Sequence, residues 1–158
     1  MIQRSLAWTW LLLLQAVPVQ AVERGSFLRT LSRAGVTVTE QRQCGPEGNN
    51  VATYNMRRNR ICISSRHTLT YTSLDEALTH EAVHAAQDCL TGQNNGRLMS
   101  LSESVGQSTR PFHQWLEPGQ LSFIRANYPR HYWDIEVEAY ALQGRPTRVA
   151  ELVAAVCS

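Results

Sequence analysis

Apolar residues recur along this chain at two different spacings, and the switches between them mark out its elements. Phe27, Leu28 and Leu31 fall at helical spacing in Ser26 to Arg33, with Gly35 as the stop. Val36 and Val38 then alternate with threonines, the period of a strand. Gly45-Pro46 and Gly48-Asn49-Asn50 make 44–50 a loop, and Val51 to Tyr54 and Arg60 to Ser64 read as two strands around the polar turn 55–59. The longest helical pattern is Ser73 to Leu90, where Leu74, Ala77, Leu78, Ala82, Ala85 and Cys89 form the apolar side. Ser73 with Glu76 matches a capping box, and Gly92 suits the far end. The stretch from Thr91 to Gln114 is polar, with Leu98 to Val105 as a short helix inside it. Three more helices are expected: Pro118 to Tyr128, stopped by Pro129; a helix from an Asp134 N-cap through Leu142; and Thr147 to Val156, with Val149, Leu152, Val153 and Val156 on one stripe. The pattern predicts one small α+β domain, a short antiparallel sheet packed on the long helix and on a second, acid-bearing helix.

The first residues break this pattern. Arg4, the apolar run Leu6 to Val19 and the small-residue site Val19-Gln20-Ala21 read as a secretory signal peptide, leaving residues 22–158 as the domain. The run is short of the roughly 20 residues a helix needs to cross a bilayer, so membrane contact is expected only if the segment stays uncleaved. A net charge of +2, all of its basic residues arginine, makes no basic stripe and argues against a nucleic-acid partner. Oligomeric state cannot be read from the chain. Export also changes the meaning of Cys44, Cys62, Cys89 and Cys157, since an even number of cysteines in an oxidising compartment implies disulfides. Of the three pairings, Cys44–Cys62 closes the expected hairpin and leaves Cys89–Cys157.

The chemistry lies in His80-Glu81-Ala82-Val83-His84. Histidines four apart on a helix stand on one face and can bind one ion, and Glu81 beside them can address a water on it. A hydrolytic zinc site takes three protein ligands and leaves the fourth place to water. The helix Trp133 to Leu142 is the best source of the third, with Glu136 the first choice and Glu138, Asp134 and Glu103 the alternatives. His67 and His113 read as surface or packing residues.

These residues resemble the gluzincins, zinc metallopeptidases whose third ligand is a glutamate on a second helix. Their E-x-x-A pattern matches Glu136 to Ala139. More closely, the chain resembles the mitochondrial inner-membrane peptidase family that processes and helps assemble an ATP synthase subunit. The likeness runs from Arg60 to Leu142: a strand with Cys62, Leu78-Thr79-His80-Glu81 to Ala85, Asp88-Cys89, and His131 ahead of Glu136 and Ala139. Tyr132 and Trp133 depart from that family between His131 and Glu136, and the export signal departs from a mitochondrial setting, so the substrate does not carry over.

The resemblance implies a compact zincin-like metallopeptidase of unknown target. Zn2+ on His80, His84 and Glu136 would lower the pKa of its water, Glu81 would act as general base, and the substrate would be a protein or peptide. His131, Tyr132 and Tyr140 are candidate donors to the oxyanion, His131 foremost. The strand Arg60 to Ser64, if at a sheet edge, would take an extended peptide by strand addition. The alternative is a secreted, disulfide-stabilised binding or assembly factor that keeps this scaffold with little or no hydrolysis.

Overall fold

The computed structural model describes residues 19–45, 50–66 and 71–157. All but the last three residues of the expected signal peptide lie outside these, as does His67. The chain forms α1 (Val19–Arg33), β1 (Thr37–Gln41), β2 (Ala52–Asn55), β3 (Arg60–Ser64) and the long α2 (Tyr71–Cys89). The short α3 (Leu101–Ser104) and α4 (Arg110–His113) follow, then α5 (Gln120–Asn127), α6 (Trp133–Leu142) and α7 (Pro146–Val156). Among the described residues no helix is long and apolar enough to cross a membrane.

The α+β architecture is the expected one, but the sheet is mixed. β3 lies between β1 and β2, antiparallel to β2 and parallel to β1. The antiparallel pair is a local consequence of the turn at 56–59. Asn55 Oδ1 accepts from the Arg58 amide and Asn59 adopts a left-handed φ of 44°, which together reverse the chain within a few residues. β1 has no such turn to fix its partner. Gly35, with a φ of 75°, ends α1 and sends the chain into β1 on the far side of β3. The strand Arg60–Ser64 is therefore central and has no edge to offer a peptide, which corrects the expectation above; the edge strand facing the long helix is β2.

One face of α2 carries Leu78, Ala82, Val83, Ala85 and Ala86, all fully or almost fully buried. Three of these are alanines, and small side chains let neighbouring helices approach closely; α6 and α7 both pack along α2 here. Phe27 and Leu31 of α1, Ile61 and Ile63 of β3, and Val149 and Val153 of α7 complete one continuous core. Each large aliphatic in it contributes about 1.5 to 3 kcal/mol by leaving water. The disulfides are Cys44–Cys62 and Cys89–Cys157, as expected. The second ties the C-terminal end of α2 to the end of α7, bracing the helix that carries the histidines.

Several boundaries differ from expectation, beginning with α1, which starts at Val19 rather than Ser26. α2 begins at Tyr71, so Ser73 lies inside its first turn and is not its cap. Leu98 to Val105 shrinks to α3, capped by Ser100, whose Oγ accepts from the Glu103 amide. Asp134 does not cap α6: that helix begins at Trp133, and Asp134 Oδ1 accepts from Thr109 Oγ1 at 2.8 Å, tying the helix to the loop before α4.

Candidate metal centre

The helical spacing of His80 and His84 places their rings 4.9 Å apart, edge to face, on the side of α2 that meets α6. From α6, Glu136 reaches both. Its Oε2 stands 3.4 Å from His80 Nε2, and its Oε1 stands 3.6 Å from His84 Nε2. The three side chains form a group that could hold a metal ion, with ligand atoms all within 4.8 Å of one another. The donor set fits an ion better than it fits internal pairing. Separations of 3.4 and 3.6 Å are longer than a good N–H···O bond. Each is measured to a different Glu136 oxygen, so the carboxylate spans the two rings without pairing closely with either. Glu136 Oε2 is buried and has no hydrogen-bond partner. An orphaned carboxylate oxygen is costly in an apolar interior unless something positive completes it.

Without a metal, a proton does part of that work. Burial opposes the charged form of His80, but contact with Glu136, the charges of Glu81 and Glu136, and a hydrogen bond with Gln143 outweigh it and carry its pKa above the ordinary histidine value. Tyr140 packs edge-on against the same ring at 4.7 Å.

The cluster opens into a cleft of about 660 Å³ whose walls are β2, the His80 face of α2 and the aromatic residues Phe123, Tyr128 and Tyr140. Glu81 lines it beside the histidines and is partly exposed. Tyr128 and Tyr140 line the cleft together and each acts on the other's phenol. Burial first, then the Glu136 and Glu81 carboxylates, push both phenols above their usual range, so they enter the cleft as neutral donors. On the opposite wall, the Tyr54 hydroxyl donates to Asp88 Oδ2 at 2.8 Å, holding β2 against α2.

Of the residues singled out from sequence, His80, Glu81, His84, Glu136 and Tyr140 converge here. His131 and Tyr132 do not: they sit on the 3-10 turn Arg130–Tyr132, which presents both to solvent, their rings 4.3 Å apart and tilted at 44°. Asp134 is committed to Thr109, and Glu103 and His113 are exposed. Glu138, the alternative ligand, is fully buried two residues beyond Glu136 and faces away from the cluster, as a two-residue step on a helix requires. It accepts from Gln87 Nε2, Ser100 Oγ and the amides of Leu101 and Ser102. Gln87 was not singled out, although a polar residue three beyond His84 on an apolar helix face was the available signal. Its Oε1 lies 2.8 Å from His84 Nδ1.

Comparison with known families finds one match: residues 43–158 fit a family described as a domain of unknown function, DUF8637. No curated protein matches the chain, and no solved structure does. The matched region carries the β2–β3 hairpin, both disulfides and every residue of the His80–His84–Glu136 group, and the chain belongs to the DUF8637 family.

Proposed function

We propose that this protein is a zinc-dependent peptidase of gluzincin type, exported to an oxidising compartment. One observation carries the reading: a largely buried group of two histidines and a glutamate, one carboxylate oxygen left without a hydrogen bond, opens into a cleft that a further carboxylate, Glu81, also lines. Two histidines with one carboxylate are the ligand set of hydrolytic zinc sites. The two disulfides fit an oxidising compartment, which supports export.

His80, His84 and Glu136 would hold the ion. When bound, zinc supplies a water of lowered pKa and polarises the substrate carbonyl. Glu81 takes the proton of the attacking water and returns it to the leaving amine. The Tyr128–Tyr140 pair donates to the developing oxyanion, the role first assigned to His131. β2 is an edge strand along the cleft wall, where an extended peptide can add to the sheet and lie across Glu81.

The test is elemental analysis of the purified chain followed by hydrolysis of an unfolded protein, with and without a chelator. The expected result is one zinc per chain and chelator-sensitive cleavage. A chain that neither contains nor takes up zinc overturns the metal centre; a zinc-loaded, folded chain that cleaves nothing across a broad peptide library leaves a binding or assembly role in its place.

The raised pKa of His80 predicts the pH dependence of that zinc. Binding must displace the His80 proton, so apparent affinity should climb with pH everywhere below the raised pKa and level off above it. The metal-free fold should behave oppositely. The proton's contribution to stability is fully present below the unfolded-state pKa and is lost as pH rises through the folded one. Chelator competition and thermal melts of the metal-free chain across this range measure the two trends; parallel trends would contradict the account.

A further inference from the structure

We propose that Gln87 and Glu138 are positioning residues that fix His84 in the tautomer a metal needs, an inference that rests on reading His84 as a ligand. Gln87 Nε2 lies 3.0 Å from the Ile135 carbonyl and 2.9 Å from Glu138 Oε2. A backbone carbonyl is only an acceptor, and so is a Glu138 oxygen already addressed by the Leu101 amide at 2.7 Å. The NH2 end of the Gln87 amide must therefore point at them, and a flip would set oxygen against two oxygens. This leaves Oε1 for His84 Nδ1 at 2.8 Å, which must carry the proton. The neutral ring then presents its Nε2 lone pair toward Glu136.

Glu138 is the anchor of the arrangement. Its other donors are Ser100 Oγ and the amides of Leu101 and Ser102, and the Met99 amide donates to the Gln87 carbonyl. The segment 99–102 thus closes over the relay and keeps water from competing for it; Gln87 and Glu138 are both fully buried. Partners of this kind commonly hold a ligating histidine's second nitrogen, and losing one typically costs about 10- to 100-fold in metal affinity.

Two substitutions separate positioning from support of the fold. Gln87→Met keeps length and burial but removes the acceptor. Gln87→Glu keeps an oxygen for His84 Nδ1–H while setting carboxylate oxygens against Ile135 O and Glu138. Nitrogen-15 NMR of the full metal-free chain, at a pH where the ring is neutral, reports the His84 tautomer. Competition with a chromophoric chelator reports zinc affinity. Wild type should show Nδ1–H. Gln87→Met should populate Nε2–H and lose about 10- to 100-fold in zinc affinity, and Gln87→Glu should lose stability yet keep Nδ1–H. An Nε2–H tautomer in the wild type overturns the proposal without any variant, and so does zinc affinity that follows stability across the two variants. Nδ1–H in a wild type that binds no zinc sinks the metal reading while leaving the relay standing.

Discussion

Glu81→Gln is expected to keep the fold and the zinc and to lose peptidase activity by roughly 10²- to 10⁴-fold, the contribution of a positioned general base. Glu81 lies next to His80 in sequence and lines the same cleft, yet it is not part of the His80–His84–Glu136 group. Replacing it with the amide changes no ligand and little volume, so metal content should be unchanged while proton transfer stops. The measurement is turnover of unfolded protein by wild type and variant at equal zinc content, with a chelator control. Full chelator-sensitive activity in the variant would move the base elsewhere. Loss of zinc along with activity would mean that Glu81 supports the site rather than acting in it.

A second large effect separates the two buried glutamates of α6. Glu136→Gln should leave the fold near wild type and weaken zinc binding by more than the 10- to 100-fold typical of an outer partner, since it removes a ligand. Glu138→Gln should do the reverse. All four of its partners are donors, so an amide nitrogen in place of either oxygen faces at least one N–H, in a fully buried site. Leaving such a group unmatched costs about 1 to 3 kcal/mol, with more when a charge is involved. Zinc affinity then falls only as far as Gln87 loses its grip on His84. Denaturant melts of the metal-free variants and chelator competition distinguish the two. A Glu138→Gln chain as stable as wild type would show that its donors find water, and a Glu136→Gln chain that holds zinc normally would remove Glu136 from the ligand set.

The sequence ranks Glu136 ahead of Glu138, while the contact itself is a matter of packing. Both are acids on one short helix, and spacing alone says only that they point in different directions. Which one meets the histidines depends on how α6 is rotated against α2, where Ala139 and Leu142 join the same core as the alanines of α2. His131 fails for a related reason: its distance from Glu136 is short in sequence, but a 3-10 turn separates it from the helix and turns it outward.

The sequence by itself determined the features governed by local rules. The periodicity placed the helix carrying His80 and His84, four-residue spacing put both rings on one face, and the polar turn produced the β2–β3 hairpin. The cysteine pairing rests on Cys44–Cys62 closing the hairpin, which leaves Cys89–Cys157, and the structure has both. Tertiary structure alone decided the parallel partner of β1, the edge position of β2, the place of Tyr128 beside Tyr140 and the Gln87–Glu138 relay. Each joins residues far apart in the chain or on separate elements. Their contact depends on how those elements pack, and a buried polar group takes whatever partner the packing brings within reach.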